Sequence, residues 1–81
     1  MPYNAIDLFS GCGGMTEGLI CAGFHVVAAV EIDNYAAETY RANHAQHGAT
    51  LFETDIRQFE SNRILELLNG EPLHLLAGCP P

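Results

Sequence analysis

Apolar residues recur along this chain in short blocks, and the period changes from block to block. Tyr3 to Phe9 is short, mostly apolar and closed by Ser10-Gly11, which predicts a buried strand. Met15, Leu19 and Ala22 follow at i, i+4 and i+7, one face of a helix, and Gly23 falls where a C-cap belongs. His25 to Ile32 is rich in valine and predicts a second buried strand. Asp33 is placed to N-cap a helix running to about His44, with Tyr35, Ala36, Thr39 and Tyr40 on one face. Thr50 to Glu53 predicts a brief third strand. Ser61 can cap a helix whose Ile64, Leu65, Leu67 and Leu68 make an inward stripe, stopped by Asn69-Gly70. Leu73 to Ala77 predicts a fourth strand, broken by Gly78-Cys79-Pro80-Pro81.

The order β-α-β-α-β-α-β implies a parallel sheet with right-handed crossovers. Strands covered on both faces explain the near-continuous apolar runs. The fold class expected is α/β, the N-terminal half of a Rossmann-like, doubly wound parallel sheet. Residues 1–81 then form one partial cofactor-binding domain, because a complete doubly wound sheet continues beyond its first strand. The fourth strand should pair beside the first and leave a long apolar edge.

Composition narrows the function classes. With 81 residues, 48% hydrophobic and 16% charged, the chain is one small domain and not a disordered tail. Ten acids against three arginines and no lysine give a net charge of −7, which repels phosphate backbones and excludes nucleic-acid binding by this segment alone. Three cysteines are too few and too scattered for a disulfide framework, so a reducing cytosol is expected. The longest apolar runs, such as Val26 to Val30, fall far short of the ~20 residues that span a bilayer. The N-terminus has no signal-peptide pattern, and no membrane association is expected.

Ligands of open α/β sheets bind beyond the carboxyl ends of the strands. Phe9-Ser10-Gly11-Cys12-Gly13-Gly14 falls there, and its glycines let backbone approach a ligand closely; a tight turn without a ligand explains a lone Gly-x-Gly equally well. Glu31 ends the second strand, where an acid can accept hydrogen bonds from vicinal ribose hydroxyls, while Asp33 serves as the helix cap. The nicotinamide fingerprint G-x-G-x-x-G would need glycine at position 16, which is Thr16, and the absence of lysine excludes a P-loop. A ribose-binding acid without the pyrophosphate fingerprint points to a nucleoside ligand lacking phosphates, a description that S-adenosylmethionine fits. Asp55, after the third strand, could accept from an adenine amino group with Ile32 and Ile56 as apolar plates, although a turn cap or an exposed acid is the stronger reading of Asp55 alone. His44 and His47 are expected to be exposed helix-end histidines, with no metal site, and Cys79 is expected to be structural.

Taken together, Asp7 to Gly18 with Ala22-Gly23-Phe24, Glu31-Ile32-Asp33 with Ala36, Thr39-Tyr40 and Asn43-His44, Asp55-Ile56-Arg57, and Leu76 to Pro81 resemble successive motifs of the C5-cytosine DNA methyltransferases. The resemblance implies an S-adenosylmethionine pocket. Phe9 would pack on the adenosine, and Ser10, Gly11, Cys12, Gly13 and Gly14 would wrap the methionine part. Glu31 would take the ribose hydroxyls, Ile32 and Ile56 the adenine faces, Asp55 the amino group, and Pro81 would lie near the methyl. The family's nucleophilic cysteine would directly follow Pro81; Cys79 matches a position that is commonly glycine there. These 81 residues alone are therefore expected to be inactive. DNA would be engaged only through further C-terminal regions, on the same chain or on a complementary polypeptide. The alternative is a non-catalytic remnant or subunit that binds a partner chain through the open sheet edge. A prokaryotic cytoplasm is the expected setting, with a nucleus left open, and the resemblance does not separate restriction-modification from epigenetic methylation.

Overall fold

The computed structural model describes residues 3–78. Strands and helices alternate as β1 (Tyr3–Leu8), α1 (Gly14–Cys21), β2 (Phe24–Glu31), α2 (Asn34–His44), β3 (Thr50–Glu53), α3 (Asn62–Leu68) and β4 (Leu75–Gly78). Two single-turn 3-10 helices, Ala45–His47 and Ile56–Gln58, are too short to leave a period in the sequence. The four strands form one parallel sheet in the order β3-β2-β1-β4. This is the α/β, Rossmann-like arrangement expected, with β4 beside β1. The chain first builds outward from β1 and then returns to its other side, so the switch point lies at the carboxyl end of β1.

Burial explains the apolar runs. Val26 to Val30 of β2 are all buried, as are Ala5 and Ile6 of β1. Ladders on both sides and helices over the faces leave these positions no contact with water. The predicted start of β4 at Leu73 is corrected to Leu75. His74 turns its ring Nδ1 toward the Asn4 amide at 2.9 Å, while its own amide donates to the Asn4 carbonyl. The Asn4 side chain also donates to Glu71 and to the Pro72 carbonyl, so the strand ladder starts two residues later.

The helices form where the sequence places them, but their inward faces differ. In α1 the buried residues are Thr16 and Leu19, whereas Met15 and Ala22 are exposed. A polar anchor at Thr16, described below, sets that phase. In α2 they are Ala37, Tyr40 and His44; Tyr35 and Thr39 face outward, the Thr39 hydroxyl donating to the Tyr35 carbonyl. In α3 Leu68 is buried and Ile64 half-buried, while Leu65 is 64% exposed. Asp33 caps α2 as expected, accepting from the Ala36 amide at 2.8 Å. Ser61 stands at the N-cap of α3 but forms no capping bond. Its own φ −60 and ψ −23 are already helical, which directs the hydroxyl away from the free amides. Between α3 and β4 an open apolar groove of about 640 Å³ is lined by Ile64, Leu65, Leu68, Leu73 and Leu76 among others.

Candidate cofactor site

The β1–α1 loop turns sharply. Phe9, Gly11 and Gly13 alternate along it with φ of 54, 56 and 106. A left-handed phenylalanine carries strain of about 1–3 kcal/mol, which persists only where neighbours fix it. They do so here: the Ser10 amide donates to the Val30 carbonyl at 3.0 Å, and the Gly13 amide to the Ser10 carbonyl at 3.1 Å. Glu31 completes the hold. Its Oε1 accepts from the Gly11 amide at 2.7 Å and its Oε2 from the Asp33 amide at 2.9 Å, tying the glycine loop to the start of α2.

Phe9, Glu31, Ile32, Asp55 and Ile56 converge on one cleft of about 240 Å³ at the tips of β1, β2 and β3. Asp55 caps the 3-10 turn that follows β3, accepting from the Arg57 amide at 2.9 Å. The Arg57 guanidinium also grips both carboxylate oxygens, with the shortest contact at 2.6 Å. Those charge-assisted bonds hold the Asp55 carboxyl down to about 2, so it stays an anion at any ordinary pH.

Cys12, Gly13 and Gly14 line a second cleft, of about 540 Å³, on the helix side of the loop with Glu17, His44 and His47. Ser10 is buried between the two clefts, and Gly11 joins them through Glu31. The structure thus divides the predicted residues into two groups instead of one pocket. Pro81 and Cys79 lie outside the described residues.

A polar chain beneath the loop had no signal in the sequence beyond the identity of its members. The Thr16 hydroxyl donates to Asp7 Oδ2 at 2.7 Å and meets the Tyr40 hydroxyl at 2.8 Å, all three residues being fully buried. Because the Thr16 hydroxyl donates its hydrogen to Asp7, it accepts from the Tyr40 hydroxyl. Burial pushes the Asp7 carboxyl above its ordinary range, against the lowering effect of the Thr16 bonds. Burial likewise raises the Tyr40 phenol. The expected exposed His44 is corrected as well. It is only 4% exposed, because the last turn of α2 lies against the glycine loop and seats the imidazole over Gly13. His47 is exposed as expected.

A parallel sheet whose strand order reverses at β1, with a glycine loop and a strand-end carboxylate at its carboxyl rim, is the arrangement of α/β proteins that bind a ligand at the switch point. The family described as C-5 cytosine-specific DNA methylase matches residues 3–81, and the chain belongs to that family. S-adenosylmethionine is the family's cofactor. The chain is 36% identical over 81 residues to the type II methyltransferase M1.HphI of Haemophilus parahaemolyticus, covering all of this chain and 21% of the relative. It is 39% identical over 80 residues to M.NgoPII of Neisseria gonorrhoeae, covering 99% and 21%. Among solved structures it resembles Spodoptera frugiperda DNMT2, with a TM-score of 0.79 and 26% identity over 98% of this chain and 23% of that one. The chain therefore spans about a fifth of the length of the first curated relatives it matches. Among the described residues no helix is long and apolar enough to cross a membrane.

Proposed function

We propose that this chain holds S-adenosylmethionine for a DNA (cytosine-5) methyltransferase, the transfer itself requiring regions that the longer relatives possess. The observation that carries the reading is the convergence of Phe9, Glu31, Ile32, Asp55 and Ile56 on one cleft. Phe9, Ile32 and Ile56 supply apolar surface for an adenine ring, and the fixed Asp55 anion supplies an acceptor for its amino group. Glu31 accepts one backbone amide on each oxygen, which leaves a lone pair on each for ribose hydroxyls. Ser10 Oγ is buried without a hydrogen-bond partner among the described residues, so the loop still has polar capacity for the methionine end. When bound, S-adenosylmethionine supplies an electrophilic methyl group. The chain's own residues bind and orient it, and the net charge of −7 leaves DNA contact to other regions.

Calorimetric titration with S-adenosylmethionine tests the reading. The wild-type chain is expected to bind it in preference to NAD, and Glu31→Gln to weaken binding about ten-fold, the equivalent of roughly 1.4 kcal/mol. A folded chain that prefers NAD, or whose Glu31→Gln variant binds equally well, overturns it.

The open groove between α3 and β4 favours a second reading, in which the chain docks a partner polypeptide without binding cofactor. Leu65 and Leu76 are 64% and 59% exposed there. A folded chain with no affinity for S-adenosylmethionine would favour that reading.

A further inference from the structure

On the helix side of the glycine loop, three donors from three elements meet. Glu17 of α1, His44 at the end of α2 and His47 of the following 3-10 turn each offer one ligand atom, and these atoms all lie within 4.8 Å of one another. We propose that Glu17, His44 and His47 form a binding site for a divalent transition metal of the zinc type, a use independent of the cofactor reading. His44 carries the argument. Its side chain is 5% exposed, and its Nδ1 is buried without a hydrogen-bond partner among the described residues. A buried ring nitrogen left unpaired is costly, and a metal ion is one of the few partners that satisfies it with a carboxylate alongside. The Nδ1 atom lies 3.9 Å from Glu17 Oε2, too long for a hydrogen bond.

The distances fit a metal better than they fit direct contact. Two donors on a tetrahedral zinc, each about 2.0–2.2 Å from the ion, stand roughly 3.4 Å apart. His44 is fixed, its ring packed at a tilt of 48° against Tyr40 with centroids 4.9 Å apart, and pressed against Gly13. Glu17 and His47 are exposed, so small rotations of two free side chains around one rigid ligand close the remaining gap. Two imidazoles and one carboxylate are a donor set that zinc takes while keeping a coordination position open. The three residues line one cleft together with Cys12, Gly14 and Asn43. A metal at this point would join α1 to the end of α2 across the glycine loop.

The experiment is a cobalt and zinc titration of the chelator-treated chain, read by visible absorption and by thermal unfolding. One equivalent of Co²⁺ is expected to give ligand-field bands without a sulfur-to-cobalt charge-transfer band. Zn²⁺ in excess is expected to raise Tm by more than roughly 5 °C. Glu17→Gln and His47→Gln change exposed residues and should fold normally, yet both effects should be lost in each. His25→Gln, at an exposed histidine on β2, should retain both. Three outcomes overturn the proposal: no bands and no shift in the wild type, equal responses in the Glu17 and His47 variants, or a charge-transfer band showing that a cysteine is the ligand.

Discussion

Asp7, buried within β1, and Asp55, in the turn after β3, respond to acid in opposite directions. Asp7 is buried, so its folded-state pKa is raised above the unfolded value; its contribution to stability is full below the unfolded pKa and is lost as pH rises through the folded one. Asp55 is held down to about 2 by Arg57, so its contribution is present above the unfolded value of 3.8 and is lost as pH falls toward 2. Denaturant unfolding followed against pH should therefore show two acid limbs. Stability gains from Asp7 as pH drops from neutrality, then declines between about 4 and 2 as Asp55 is protonated. Asp55→Asn should flatten the lower limb and leave the upper one; an unchanged lower limb would show that the Arg57 grip does not persist in solution. Thr16 marks the boundary of what the residues disclosed by themselves. Its departure from the glycine of a nicotinamide fingerprint was legible, whereas its role as the hydroxyl between Asp7 and Tyr40 was not. That role depends on a contact across 24 positions that no local pattern encodes.

At the scale of elements, β1 and β2 were readable because burial on both faces makes them largely apolar, a signal independent of neighbours; the half-exposed β3 and β4 were readable only as short apolar blocks between turns. Helix existence was readable too, from Asp33 at one end and Gly23 or Asn69-Gly70 at the other. Helix phase was not. In α3 four apolar residues compete for the inward face, and only the sheet decides among them, burying Leu68 and leaving Leu65 out. Truncation should separate the two. Leu68→Ala is expected to cost about 2–5 kcal/mol, the range for a buried leucine. Leu65→Ala should stay within about 0.5 kcal/mol, as surface changes do. Equal losses in urea unfolding would mean that Leu65 is covered in solution. The candidate cleft was legible in its acids and isoleucines because each follows a strand end. Of the second cleft the sequence discloses Cys12, Gly13 and Gly14, whereas the burial of His44 is a property of how α2 lies on the loop and has no local signal.

For the molecule as a whole, the unpaired side of β4 and the groove beside it are the largest departure from a closed domain. Leu76 stands on that edge strand at 59% exposure. A charge on a sheet edge blocks strand-to-strand pairing. Leu76→Lys is therefore expected to shift sedimentation toward monomer at high protein concentration with little change in Tm. If the variant and the wild type sediment alike, this edge does not drive association. The surplus of negative charge works in the same direction as the lysine, keeping copies apart at low salt and less so once salt screens it.

The bonds between Asn4 and the segment before β4 join positions 67 to 70 apart, and β1 lies between β2 and β4 in the sheet. During translation β1 emerges before either of its neighbours, and β4 follows only after β2, β3 and α3. At about 5–20 residues per second, the emerging chain spends several seconds with one side of its central strand open. Through that interval the strand's amides and carbonyls are available to any chaperone or neighbouring nascent chain, and the sheet closes only when Leu75–Gly78 has cleared the exit tunnel.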